Sequence, residues 1–234
     1  MGFFSSFAFL IRMLGDISHV LSMIVLAQKI KNTKSCSGLS YKTQLLYGIV
    51  FISRYLDMMY FNIRSIFELY LFIMKVSFIV FQLIIIYLIR FKFYYSWDPM
   101  LDNFNITYIV GPALVLSFIF KPESSGVVGY FIEYLWAFSI VLEAVAILPQ
   151  LLQLQETGES ETLTSRYIFL LGIYRFLYVV GWILKFLGGA KVNQLLVASG
   201  IIQTLLYADF FIIYYNHIFS RQGKSKNIPK SFTN

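Results

Sequence analysis

The feature that most constrains this chain is a series of apolar runs long enough to cross a bilayer, several of them interrupted by charged residues. The runs fall at about 7–28, 45–63, 69–89, 106–120, 130–152, 167–187 and 193–215, and roughly 20 apolar residues span the hydrocarbon core. Seven transmembrane helices are expected, the fourth a short one. Only 13% of the residues are charged, about half the usual share in a soluble domain. The connections between the runs are too short to hold a second domain. Residues 1–234 are therefore read as a single all-α membrane domain, with 216–234 as a tail. The first run is expected to be a retained helix, because Arg12, Asp16 and His19 interrupt it and a signal peptide's apolar region does not tolerate three such residues.

The distribution of lysine and arginine gives an orientation. The first, third and fifth connections and the tail hold eleven, among them Lys29, Lys31, Lys34, Lys42, Arg90, Lys92, Arg221, Lys224, Lys226 and Lys230. The opposite side holds Arg64, Lys121 and Lys191. The tail is thus expected in the cytoplasm, and the N-terminus in the lumen or outside. The net charge of +7 is spread over loops, tail and apolar runs, which argues for topology and against a phosphate-binding face or a nucleic-acid partner. Cys36 is the only cysteine, so no intramolecular disulfide or cysteine-rich metal site is available.

A weak internal repeat is visible. VLAQ at 25–28 answers ILPQ at 147–150, and Gly38-Leu39-Ser40 with Leu46-Tyr47-Gly48-Ile49 answers Thr162-Leu163-Thr164 with Leu170-Leu171-Gly172-Ile173. Two three-helix repeats joined by the short fourth helix as a linker account for it, as in parallel-repeat transporters, and a binding site between the two units follows.

The charges inside the runs bear on function. Glu133, Trp136 and Glu143 share one helical stripe in the run that ends at Pro149-Gln150. Arg12, Asp16 and His19 share a face of the first helix, the second helix carries Arg54, Tyr55 and Asp57, the sixth Tyr174, Arg175, Tyr178, Trp182 and Lys185, and the seventh Asp209. A charge at the centre of a membrane helix costs about 2.5–3.5 kcal/mol or more. Single pairs of this kind often serve only to hold helices together. The whole set, with arginine forks suited to carboxylates, suggests a pocket for a ligand with several anionic groups. Lys75 in the third helix is read as snorkelling or making a helix contact. No nucleotide loop, zinc spacing or nucleophile elbow is present. Ser18 points away from the face of Asp16 and His19, so no catalytic triad forms there, and an enzyme is not expected.

The blocks GDISH at 15–19, SCSGLS at 35–40, SRYLD at 53–57, LWAFSIVLEAVAILPQL at 135–151, TGESETLT at 157–164, GIYRFLY at 172–178 and ADFF at 208–211 resemble the KDEL receptor family in order and spacing. The resemblance implies the seven-helix fold related to SWEET and PQ-loop transporters. It also implies a sorting receptor that binds the C-terminal KDEL- or HDEL-type signals of luminal proteins escaped from the endoplasmic reticulum. Such a receptor captures cargo in the acidic Golgi, returns it in COPI vesicles by retrograde transport and releases it at neutral pH. The implied location is the membrane of the endoplasmic reticulum, the intermediate compartment and the cis-Golgi.

By the same resemblance, Arg12, Arg54 and Arg175 face the signal's acidic groups. Asp57, Glu133 and Trp136 select its first, basic residue, while Tyr55, Tyr178, Trp182 and Lys185 complete the signal-binding set. His19, Glu143 and Tyr174 match a pH-sensing group, Asp209 a position associated with transport, and Lys224, Lys226 and Lys230 a coat-binding tail. Lys185 stands where many members have arginine, and Gly181 and Asn193 replace more polar or acidic residues. No cofactor is implied. The alternative is a small-solute transporter of the SWEET or PQ-loop type, for which three intramembrane arginines have little use.

Overall fold

The computed structural model describes residues 3–60, 63–121, 126–157 and 162–226, with side chains in 6–58, 63–121, 126–156 and 166–212. Among the described residues there is no strand. The helices are α1 (Phe3–Thr33), α2 (Tyr41–Arg54), α3 (Ile66–Tyr87), α4 (Thr107–Phe120), α5 (Val127–Val145), α6 (Leu148–Thr157), α7 (Thr162–Leu187) and α8 (Gln194–Lys226). Within a bilayer every backbone amide must find its partner inside its own segment, which a helix achieves. Ser6–Thr33, Ile66–Lys92, Val127–Glu156, Arg166–Leu187 and Gln194–Ile212 are long and apolar enough to cross. At 14 residues each, α2 and α4 reach only about 21 Å. α4 presents a greasy outward face all the same, with Val115, Phe118 and Ile119 exposed, whereas α2 is largely buried and exposes Ile52.

Several boundaries differ from the apolar runs, each for a local reason. α1 continues to Thr33 and stops where Lys34 takes a left-handed φ of 51°. α2 starts on Ser40, whose side chain accepts from the Thr43 amide, a standard N-terminal cap. It ends at Arg54 although the apolar run continues to 63. Tyr55 leaves the helical region, and the chain tightens into a 3-10 turn over Leu56–Tyr60. The fifth run is two helices, because Pro149 lacks an N–H and its ring would meet the Val145 carbonyl; α5 stops at Val145, and the proline sits in the first turn of α6. α8 runs past the expected end at 215 to Lys226.

The helices pack as two sets of three in the same order. α3 touches both α1 and α2, and α8 touches both α5 and α7. The sets meet through α1 against α7 and α2 against α5, while α4 packs on α5. The repeated sequence blocks are less symmetric than this packing: Gln150 is buried whereas Gln28 is exposed.

At one end a polar seam closes the bundle. The Ser40 amide donates to Gln150 Oε1 at 2.9 Å, Gln150 Nε2 to the Gly38 carbonyl at 2.9 Å, and the Gln150 amide to Thr43 Oγ1 at 3.0 Å. Buried Asp102 accepts from Ser40 Oγ at 2.7 Å, the Lys42 amide at 3.1 Å and Trp97 Nε1 at 3.2 Å. The Cys36 amide donates to Ser96 Oγ at 2.8 Å, and its thiol lies 3.1 Å from the Phe93 carbonyl. Burial pushes the Cys36 thiol up from its ordinary pKa, so it stays protonated and inert.

Candidate binding site: a cationic cavity between the helix sets

A cavity of about 380 Å³ opens between the two sets of helices, away from the seam. Its floor is built on Glu143 of α5. One carboxylate oxygen, Oε2, receives Arg54 Nη1 and Arg175 Nη2, both at 2.6 Å. The other accepts the Tyr174 hydroxyl at 2.9 Å. The Arg54 fork continues to the Ser139 hydroxyl at 3.1 Å and the Ser139 carbonyl at 2.9 Å. The end of α2, the last turn of α5 and the middle of α7 are thereby tied through one acid. Two guanidinium groups against one carboxylate leave a positive charge on the floor, and buried charge is tolerated only where paired and hydrogen-bonded.

His19 of α1 forms the adjoining wall. Its ring stacks on Tyr174 with centroids 4.0 Å apart and planes 4° apart, and Phe78 lies 4.8 Å from it on centroids. Buried His19 Nε2 and Arg175 Nε have no hydrogen-bond partner among the described residues. Asp16, one turn away on α1, accepts from Tyr70 at 2.6 Å and from Tyr178. A side chain at Gly15 would come within 2.7 Å of the Tyr178 ring, so the glycine lets α1 approach α7 closely enough for this bond. Trp182 is seated in the same way on Gly200, where a Cβ would lie 2.5 Å from the indole.

Toward the mouth the lining is cationic. Arg12, Lys185 and Lys191 line it, and no carboxylate pairs with them among the described residues. Lys75 of α3 pairs with Asp57 at 2.5 Å. In all, six cationic side chains (Arg12, Arg54, Lys75, Arg175, Lys185 and Lys191) face two carboxylates (Asp57 and Glu143), a formal excess of four positive charges with His19 neutral. Such an enclosure is suited by charge to a small anion with several separated charges.

Most of the residues singled out in the sequence meet here. Arg12, His19, Arg54, Tyr55, Asp57, Trp136, Glu143, Arg175, Tyr178, Trp182 and Lys185 all line the cavity, with Tyr174 immediately behind Glu143. Glu133 does not line it: Trp136, Ile140 and Glu143 reach the cavity from α5, and Glu133 lies nearer the helix start. Asp209 is exposed on α8, away from the cavity. Lys224 and Lys226 fall in the last turns of α8, and Lys230 lies outside the described residues. Sequence reasoning does not single out Phe51, Phe78, Ile140 and Lys191 as lining residues, and it reads Lys75 as snorkelling or making a helix contact, whereas Lys75 pairs with Asp57 and lines the cavity as well. Lys75 carried the same signal as the arginines, a cation in an apolar helix.

The model of the ER lumen protein retaining receptor family matches residues 35–185, from the seam loop through most of α7. The chain belongs to this family. Mouse ER lumen protein-retaining receptor 3 is 41% identical over 218 residues, covering 93% of this chain and 97% of that protein. Human ER lumen protein-retaining receptor 2 is also 41% identical, covering 93% and 98%. Receptor 3 of Xenopus tropicalis is 40% identical over the same length. The family is one of receptors rather than enzymes, and in this receptor the arginines that share Glu143 lie within the matched span.

Proposed function

We propose that the cavity is where this receptor takes the C-terminal retention signal of escaped luminal proteins, of the KDEL or HDEL type. The observation that carries the reading is the excess of positive charge facing one small enclosure. A peptide ending in Asp-Glu-Leu brings two acidic side chains and a terminal carboxylate, and its apolar last residue suits a floor that includes Phe51 and Phe78. Arg54 and Arg175, held by Glu143, present planar forks to carboxylates. Arg12 and Lys185 meet the remaining acid groups, Lys185 as a point charge. Asp57 and Trp136, with Tyr55, hold the basic residue at the start of the signal. Glu133 is assigned an earlier contact outside the cavity.

On a reading of seven spans, with α2 and α4 the short ones, the excess of lysine and arginine on one side supports a cavity mouth in the lumen and a seam and tail in the cytoplasm. The single domain over 1–234 then works as a carrier between two compartments, loading in the Golgi and unloading in the endoplasmic reticulum. His19, whose ordinary pKa of about 6.5 lies between the two, supplies the switch. It is faced by Glu143 of α5, Arg54 of α2, Tyr174 and Arg175 of α7 and Asp16 of its own helix. Asp209 and Lys224, Lys226 and Lys230 serve transport and the COPI coat. A neutral-solute transporter has no use for the excess charge.

Binding of labelled free-acid KDEL and HDEL peptides to purified protein, at about pH 5.5 and about pH 7.5 on either side of the imidazole's ordinary pKa, tests the reading. Tighter binding at the lower pH, lost on amidating the peptide's C-terminus, is expected. Arg54→Ala should abolish binding, since stranding a buried carboxylate costs about 2–5 kcal/mol. Equal affinity for amidated and free-acid peptides would remove the cavity as the signal site.

A further inference from the structure

Lys75 lies within α3, whose sequence is otherwise apolar around it. Its ammonium reaches the cavity wall, 2.5 Å from Asp57 Oδ2 and 5.6 Å from the centroid of the Tyr55 ring. A carboxylate beside an aromatic face is the arrangement with which proteins hold a ligand's cation. The two partners are unequally covered: the Lys75 side chain is 18% exposed, whereas that of Asp57 is 49% exposed. Both side chains line the cavity, and the aspartate is the more exposed of the two.

We propose that Lys75 is an internal occupant of the subsite for the signal's basic first residue, and so a specificity-determining residue of this receptor. The inference rests on the reading of the cavity as the signal site and deepens it. A ligand cation that reaches Asp57 must share the carboxylate with Lys75 or displace it. Either way Lys75 weakens the preference for a basic first residue and leaves the acidic positions untouched. It sets a modest threshold, because the half-exposed Asp57 is screened by water.

A lysine that merely ties α3 to the turn after α2 predicts a different result. Its removal would loosen the wall and weaken every peptide alike. A lysine that contacts the ligand's acidic groups predicts the same uniform loss.

The test measures affinities of free-acid peptides ending in KDEL, HDEL and ADEL for the wild type, Lys75→Met, Lys75→Gln, Asp57→Asn and the Asp57→Asn/Lys75→Met double variant. Lys75→Met and Lys75→Gln should each raise the KDEL-to-ADEL affinity ratio by about 1.5-fold to fivefold, the scale of one partly exposed ion pair. Asp57→Asn should lower that ratio, and adding Lys75→Met to it should change the ratio no further. An unchanged or lowered ratio in both lysine variants, with wild-type binding intact, overturns the proposal alone. A wild type that binds none of the three peptides overturns the signal-site reading, and the proposal with it.

Discussion

The seam and the cavity floor each bury a carboxylate, and they satisfy it in opposite ways. At the seam, Asp102 is satisfied by three uncharged or backbone donors, and Gln150 ties the loop before α2 to the start of α6. At the cavity floor, Glu143 is shared by two guanidinium groups, while Arg12 and Lys185 stand above it without a carboxylate among the described residues. Polar groups at the seam are directed at one another. Those at the cavity are partly paired, through Glu143 and Asp57, and leave an excess of one sign that the proposed anionic ligand would complete. Satisfied groups stabilise the fold, whereas an excess of like charge in a low-dielectric enclosure is a standing cost that a ligand relieves.

The largest effect that tests this contrast is expected from Glu143→Ala. It leaves Arg54 and Arg175 side by side without their counter-ion, and breaking a buried pair costs about 3–5 kcal/mol. Thermal unfolding in detergent should show a marked fall in stability, and Arg175→Met in the same background should restore part of it. An unaltered midpoint in Glu143→Ala would mean that water already screens the floor.

Arg12→Ala should do the reverse of a structural variant. Arg12 makes no ion pair in the cavity among the described residues, so its loss should leave the unfolding midpoint where it is. Peptide affinity should fall by roughly the worth of one charged hydrogen bond, about 1.5–3 kcal/mol. A drop in stability that matches the drop in affinity would show that Arg12 belongs to the scaffold.

The smallest effect is expected at the seam. Gln150→Leu keeps the side-chain bulk but strands the Ser40 amide and the Gly38 carbonyl. An unsatisfied buried polar group costs about 1–3 kcal/mol, to be read as a lowered unfolding midpoint with peptide affinity unchanged. Loss of peptide binding at equal stability would make the seam part of the site and dissolve the comparison.

How much of this was legible in the sequence follows the same division. The cavity arginines were conspicuous because a charge in an apolar run has few reasons to be there, and Arg54 and Arg175 do meet on one acid. Lys75 gave the same signal but was discounted, since a long flexible stem can carry an ammonium to the membrane surface; only the position of Asp57 shows that it turns inward. Phe51 and Phe78 were invisible among 24 phenylalanines, because apolar residues that line a cavity and those that face lipid look alike. The short fourth helix begins and ends within a residue of its apolar run, whereas α2 ends well before its run does, since the apolar pattern carries on through the 3-10 turn after Tyr55. Asp102 lies in a polar connection, where an aspartate carries no information until its three donors are in place.

The seam also has a consequence for how the chain is made. Its bonds join residues far apart in the sequence: Cys36 to Ser96 across 60 positions, Ser40 to Gln150 across 110 and Gly38 to Gln150 across 112. A chain that emerges from its N-terminal end can form α1 to α4 while Ser40 and Gly38 still bond to water. Gln150 must be synthesised and α6 formed before those groups find their native partners. The first helices are therefore held provisionally during synthesis, and the fifth apolar run is the earliest point at which the cytoplasmic side as proposed can lock.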